Sequence, residues 1–236
     1  CGDEILKQFS MCMQSCINEN QKIYELGNGR FIIMDLANHS KEDILELYDE
    51  LKKSVEVALE ENVYRVVYTI SVGIVEIDKE MKDYDTLIKY SVFALNEAKK
   101  KGKNSCYFFT QDKYKQFIRR REIRVELQNA VDHNFKNFDV YYQPIIDIHT
   151  RNLIGAEALM RFKMKRNEQI EFISPAEFIP ILEESGLIIP AGRWILRQAV
   201  ACCKKWQEFI PEFKVNVNLS YVQIIKSKIL DEIKQA

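Results

Sequence analysis

Residues 154–162, which read IGAEALMRF, constrain the fold most, because an extended chain sorts them onto two very different faces. Alternate side chains of a strand point the same way, so Glu157 and Arg161 share one face with Gly155 and Leu159. The other face is entirely apolar and consists of Ile154, Ala156, Ala158, Met160 and Phe162. Such a face must be covered, which predicts a sheet packed against helices. The two charges are either a structural ion pair or part of a site.

The composition excludes several functional classes. The 236 residues carry a net charge of −1, so we expect no DNA or RNA partner, which normally requires a basic excess. The six cysteines show no paired CxxC spacing, which favours reduced thiols and a cytoplasmic location. No apolar run reaches the roughly 18 residues of a membrane span. The chain does not begin with Met, so we expect a piece of a longer protein. Whether a membrane anchor lies upstream of this piece stays an open question.

The first half of the chain predicts an α/β domain with a mainly antiparallel sheet. Gly27-Asn28-Gly29 lies between two apolar runs of segment 22–36 and indicates a hairpin, since these residues tolerate positive φ. Ser40 is a candidate helix cap, and Gly102 a candidate helix end. The predicted elements are helix 3–19, hairpin 22–36, helix 40–60, strand 63–77, helix 84–101 and strand 105–110.

The second half alternates strands and helices, which predicts a parallel sheet or barrel. A polar helix over 111–136 connects the halves, and we expect its basic run from Arg119 to Arg124 to be a solvated face. Ser174 and Glu177 predict a capping box. The predicted elements that follow are strands 140–147, 152–162 and 213–219 and helices 175–185, 191–209 and 220–235.

Polar side chains interrupt three of these apolar strands. Gln143 lies in YYQPIID, Glu157 and Arg161 in the segment above, and Asn216 and Asn218 in VNVNLS. Carboxylate and amide oxygens suit Mg²⁺, Mn²⁺ or Ca²⁺, and arginine suits a phosphate. The residues therefore point to metal-assisted phosphoester chemistry, with a structural ion pair and buried amides as the alternative.

Four segments in order, YYQPIID, IGAEALMRF, SPAEFIPILEESGLIIPAGRWIL and VNVNLS, resemble the EAL family across 138–236. That family hydrolyses the bacterial messenger cyclic di-GMP to linear pGpG, and the resemblance implies a TIM-like (β/α)8 barrel that uses Mg²⁺ or Mn²⁺. It implies that Glu157 and Asn218 are catalytic metal ligands. It also implies that Gln143 and Arg161 bind the substrate. We interpret Asn216 as structural.

The resemblance covers only the first part of such a barrel. A (β/α)8 barrel takes roughly 250 residues, more than twice the length of 138–236. The family's later Glu, its Asp-Asp pair and its final Lys and Glu have no counterpart in this chain. We therefore expect that this chain alone is inactive as a phosphodiesterase. Open sheet edges would favour a homodimer.

The segments GDEILKQF, LGNGRF, TISVGI and LNEAKKKGKNSCYFF resemble the GGDEF family, which makes cyclic di-GMP from two GTP. Where the signature reads Gly-Gly-Asp-Glu-Phe, this chain has Gly27, Asn28, Gly29, Arg30 and Phe31. Gly29 and Arg30 replace both acidic positions, and the upstream inhibitory Arg-x-x-Asp reads Asn18 to Gln21. The family's opening strand would precede Cys1. The resemblance implies a degenerate domain without cyclase activity.

Three positions of this domain still match residues that contact nucleotide in the family, namely Asp3, Lys99 and Lys103. The resemblance therefore leaves residual GTP binding open. The chain as a whole is predicted to be a tandem protein: a degenerate GGDEF domain over 1–112, a connecting helix over 113–137 and the start of an EAL domain over 138–236. We expect an EAL-type phosphodiesterase with a regulatory GGDEF domain, or alternatively a non-catalytic cyclic di-GMP or GTP receptor or scaffold.

Overall fold

A computed structural model describes residues 2–60, 68–78, 81, 83–166 and 168–235, without the side chains of residues 2, 3, 59 and 60. The chain divides into two compact units between Gln111 and Asp112. We refer to them as the first unit and the second unit. Residues 63–67 of the predicted strand 63–77 lie outside the described residues, and in the described remainder only Val72–Ile74 form a strand.

The first unit contains the predicted hairpin and helices. Its elements are α1 (Gly2–Cys16), β1 (Gln21–Gly27), β2 (Arg30–Asp35), α2 (Lys41–Glu60), β3 (Val72–Ile74), α3 (Tyr84–Lys101) and β4 (Cys106–Phe108). β1 and β2 are antiparallel, whereas β3 and β4 pair in parallel, so this unit combines both kinds of pairing. Ser40 caps α2 as expected, since its Oγ accepts the Asp43 backbone N–H at 3.1 Å.

The second unit has one strand more than expected. It also has two helices where the sequence predicts one helix over 220–235. Its elements are α4 (Gln111–Asp132), β5 (Phe138–Ile146), β6 (Leu153–Arg166), β7 (Gln169–Ile173), α5 (Pro175–Ser185), α6 (Ile188–Gln207), β8 (Lys214–Val217), α7 (Tyr221–Lys226) and α8 (Ile229–Gln235). β7 was not predicted. Helix 220–235 is interrupted at Ser227, which has an extended conformation.

The sheet of the second unit is mixed, whereas the sequence predicts a parallel sheet or barrel. β5 and β7 pair antiparallel with β6, whereas β8 pairs with β6 in parallel. The connection 147–152 is too short for the crossover that a parallel β5–β6 pair needs, which takes about a dozen residues. In the described residues the sheet stays open and forms no closed barrel.

The two faces of β6 behave as the alternation predicts. Ala156, Ala158 and Phe162 are at most 2% exposed, and Ala158 and Phe162 belong to a core shared with α4, α5 and α6. Ile154 is the exception on this face, because it lies near the strand's start and is 44% exposed. Glu157 lies on the opposite face and is only half-buried. One side of the sheet is thus core, and the other is open for a site.

Within the second unit, ion pairs join α4 to β7 and α5, so the basic run from Arg119 to Arg124 is not simply a solvated face. Arg119 Nη2 lies 2.8 Å from Glu171 Oε1 on β7, and Arg119 Nε lies 2.5 Å from Glu177 Oε1 on α5. The hydrogen bond from Arg119 lowers the pKa of Glu171. Ser174 begins α5 as predicted, but its side chain forms no capping hydrogen bond. The predicted capping box is therefore wrong, and Glu177 binds Arg119 instead.

Gly155 should be the most sensitive glycine for the pairing of β6 with β8. A Cβ at this position would lie 2.5 Å from the backbone oxygen of Lys214. We expect Gly155→Ala to lower the free energy of unfolding by about 1–3 kcal/mol, because the strands must separate. Urea denaturation measures this change. Ile170→Ala, at a position that is 68% exposed on β7, is the control; equal midpoints for the two variants would contradict the prediction.

Candidate functional site

Three polar side chains form a row across the open face of the sheet. Gln143 on β5 is the register partner of Glu157 on β6, and Glu157 is in turn the register partner of Asn216 on β8. Register partners in adjacent strands project from the same face of a sheet. We refer to Gln143, Glu157 and Asn216 as the polar row. Gln143 and Asn216 are exposed and Glu157 is half-buried, so ligands from solvent can reach the row.

Asn218 lies in the loop that follows β8 and contacts the polar row. Its Nδ2 donates a hydrogen bond to Glu157 Oε1 at 2.6 Å. The loop is held by a capping box at the start of α7, in which Ser220 Oγ accepts the Val222 backbone N–H. Ser220 also donates a hydrogen bond to Glu183 Oε1 at 2.6 Å. The structure therefore brings together the two residues for which the sequence suggested metal binding.

Arg161 lies on the same face but contacts different partners. Its Nη1 donates to the backbone oxygen of Met160 at 3.0 Å, and its Cζ lies 5.4 Å from the centre of the Tyr141 ring. Among the described residues, no ion pair within 4.0 Å joins Arg161 to Glu157. The structural ion pair that the sequence left open is not formed, and both groups are available to a ligand.

The donor set on the polar face fits part of a magnesium or manganese shell. Glu157 and Asn218 offer carboxylate and amide oxygens, the hard ligands that these cations prefer. Turning the Asn218 amide about its last torsion presents Oδ1 to the ion in place of Nδ2. The described residues contain no group of three or more His, Cys, Asp and Glu side chains that could hold a metal. Further ligands would have to be water, substrate or additional residues, as is usual for Mg²⁺.

Two further side chains lie on this face. Asn216 is the register partner of Glu157, and its interpretation as structural stays a prediction. Tyr141 was not singled out, although it lies two residues before Gln143 and contacts Arg161. The period of two could have found Tyr141, since it precedes Gln143 by one period.

A cavity of about 430 Å³ lies elsewhere in the second unit, between β5 and α6. Tyr142, Trp194 and Cys202 are among its lining residues, and none of the four residues predicted for the EAL site lines it. Tyr142 donates a hydrogen bond to the backbone oxygen of Gln198 at 3.2 Å, and burial raises its pKa. The candidate site is therefore the open polar face, not this cavity.

The degenerate signature of the first unit forms the turn of the β1–β2 hairpin. Gly27, Asn28 and Gly29 all have positive φ, at 76°, 55° and 67°. Arg30 begins β2 and is exposed, whereas the Phe31 ring packs 5.3 Å from that of Phe9 on α1. The hairpin turn is thus kept, but Arg30 presents a positively charged side chain to solvent where the family signature has an acidic one.

The other predicted nucleotide-binding residues of the first unit lie apart along the chain. Lys99 is exposed in the last turn of α3, and Lys103 is exposed in the loop that follows this helix. Asp3 lies in α1, and its side chain is outside the described part of the structure. Their contacts with nucleotide stay predictions.

Two family models match successive parts of the chain. "Diguanylate cyclase, GGDEF domain" matches residues 1–105, and "EAL domain" matches residues 124–236. The chain therefore belongs to the proteins in which a GGDEF domain is followed by an EAL domain. Within the part of the chain that the structure describes, no helix combines the length and the apolarity that crossing a membrane requires.

The chain is also similar to curated relatives and to a solved structure. The chain is 27% identical over 235 residues to the cyclic di-GMP phosphodiesterase PdeR of Escherichia coli, covering 99% of the chain and 34% of the relative. It is 24% identical over 236 residues to the bifunctional diguanylate cyclase/cyclic di-GMP phosphodiesterase MucR of Pseudomonas aeruginosa, covering 100% and 34%. The solved structure "PaMucR Phosphodiesterase, c-di-GMP complex" is 25% identical with a TM-score of 0.41, covering 48% of this chain and 44% of the other. The chain thus spans about a third of the length of these two curated relatives.

Proposed function

We propose that this chain is part of a cyclic di-GMP signalling protein whose EAL domain hydrolyses cyclic di-GMP to linear pGpG. The observation that carries the proposal is the 2.6 Å contact between Asn218 and Glu157, which unites two EAL-type ligands beside Gln143 and Arg161. The similarity to PdeR and MucR, both named as cyclic di-GMP phosphodiesterases, supports the same reaction.

In this proposal Glu157 and Asn218 hold Mg²⁺ or Mn²⁺. When bound, such a cation polarises the phosphodiester and lowers the pKa of a water molecule. Glu157 contributes the negative charge that attracts the cation to the open face. Arg161 neutralises charge on the phosphate through charge-assisted hydrogen bonds. Gln143, beside Glu157 in the polar row, can donate and accept hydrogen bonds and so fixes the orientation of the dinucleotide.

The proposed role of the GGDEF domain is regulatory. Gly29 stands where the cyclase has an acidic metal ligand, and Arg30 places a positive charge where the cations should sit, so we expect no cyclic di-GMP synthesis. GTP binding through Asp3, Lys99 and Lys103 is part of the proposal, as are a homodimer, a cytoplasmic location and the boundaries 1–112, 113–137 and 138–236. Each is an expectation that binding assays, sizing or truncation can test.

A receptor or scaffold is the second candidate, in which cyclic di-GMP is bound but not cleaved. The loss of the acidic signature at Gly29 and Arg30 favours it, because it is a substitution of catalytic positions within this same chain. Such a protein would signal through a dimer or a protein partner.

Incubating the complete protein with cyclic di-GMP and Mg²⁺ or Mn²⁺ separates the two candidates. Linear pGpG that disappears with a chelator supports the phosphodiesterase. Saturable binding measured by calorimetry without product supports the receptor. Neither binding nor product would contradict both. The 236-residue chain by itself is expected to give no turnover, and measurable hydrolysis by it would refute that expectation.

A further inference from the structure

Tyr141 is an aromatic residue on the polar face of the sheet, and its contact with Arg161 suggests that it positions this side chain. Tyr141 is 51% exposed, and the Arg161 guanidinium lies 5.4 Å from its ring centre. A guanidinium over an aromatic ring is attracted by the ring quadrupole. This contact uses no N–H donor of the guanidinium, so the N–H groups can still bind a planar anion.

The strand register shows in which direction Tyr141 draws this guanidinium. The residue directly opposite Arg161 is Asp139, but the Asp139 carboxylate binds Lys163 Nζ at 2.9 Å. Tyr141 lies opposite Leu159, one side-chain pair closer to the Gln143–Glu157 pair. By lying over Tyr141, Arg161 leans away from Asp139 and towards the polar row.

We propose that Tyr141 is a positioning residue that holds the Arg161 guanidinium beside the polar row for a phosphodiester. The hydrogen bond from Nη1 to the Met160 oxygen fixes a second point of the group. Four of the five guanidinium N–H donors stay available, which suffices for a bidentate phosphate contact. The ligand follows from the proposed function, whereas the stack itself is a property of the free chain.

The free chain tests the stack by NMR of the arginine side chains. In the wild type and in Tyr141→Phe, the ring should shift the Arg161 Nε–H and δ protons upfield, and Tyr141→Leu should remove this shift. The Arg193 guanidinium, which binds Glu232 at 2.7 Å, is the internal reference. Tyr84→Leu, at a tyrosine that is 66% exposed in the first unit, is the matched control. An Arg161 signal that is the same in all four proteins would overturn the proposal.

Calorimetric titration of the complete protein with cyclic di-GMP tests the consequence for ligand binding. Tyr141→Leu should weaken binding by about two- to fivefold, the range expected for an exposed cation–π contact, while Tyr141→Phe should restore wild-type affinity. A lost ring shift with unchanged affinity would overturn the positioning role. If the wild type binds no cyclic di-GMP, the proposed function fails, and the NMR comparison still decides whether Tyr141 holds Arg161.

Discussion

Glu157→Gln is expected to lower the rate of cyclic di-GMP cleavage by the complete protein by at least about a hundredfold. The substitution keeps the size of the side chain and removes the charge that attracts a divalent cation to the open face. Loss of a partner in the outer shell of a metal typically costs 10–100-fold, and a direct ligand should cost at least as much. Product formation with Mn²⁺, measured chromatographically over a range of metal concentrations, is the test.

The control is Glu168→Gln, at the turn between β6 and β7. Glu168 has the same chemistry, and its side chain is 87% exposed and pairs only with Lys165 in the described structure. This variant should cleave cyclic di-GMP at the wild-type rate. Glu157→Gln should also bind Mn²⁺ more weakly, as seen by electron paramagnetic resonance. Wild-type turnover by Glu157→Gln would show that this carboxylate is not a catalytic ligand.

Local signals predicted those elements whose ends are defined by their own residues. Helix 84–101 is observed with these bounds, because the Asp83 side chain accepts the backbone N–H groups of Asp85 and Thr86 and Gly102 ends the helix. The hairpin at Gly27–Gly29 is equally local, since its positive φ values require such residues. Both features depend on neighbours within a few residues in the chain.

Features that depend on distant partners were not predicted. β7 has only five residues and is a strand because it folds back on the second half of β6, where Glu171 opposes Met164. The expected parallel sheet came from the order of strands and helices, whereas the pairing direction depends on the connection 147–152. Counting the length of that connection would have predicted the antiparallel pair.

The candidate site shows the same division. The alternation of 154–162 placed Glu157 and Arg161 on one face, which the burial of the opposite face confirms. The contact of Glu157 with Asn218, 61 residues further along the chain, requires the parallel register of β6 and β8, which no local pattern contains. The family resemblance predicted that both residues are metal ligands, and it did so without any information on the strand register. It assigned no role in the site to Asn216 and Tyr141, although both lie within the matching segments.

Phe162→Ala is expected to lower the free energy of unfolding of the second unit by about 3–5 kcal/mol. Phe162 is 1% exposed, and its ring lies 4.9 Å from that of Phe138 and 5.9 Å from that of Phe178. Truncation leaves a cavity between the sheet and α5 that these rigid rings cannot fill. Since a typical domain is stable by only about 5–15 kcal/mol, the loss is a large part of the total.

Tryptophan fluorescence can follow this unit separately, because the only two tryptophans of the chain, Trp194 and Trp206, both lie in it. Trp194 packs 5.8 Å from Phe138, next to the substituted position. The control is Phe172→Ala on β7, which removes the same side chain at a position that is 62% exposed. We expect a much lower urea midpoint for Phe162→Ala than for Phe172→Ala at an unchanged slope. Similar midpoints would mean that the apolar face of β6 does not hold this unit together, and that the sheet bearing Glu157 derives its stability elsewhere.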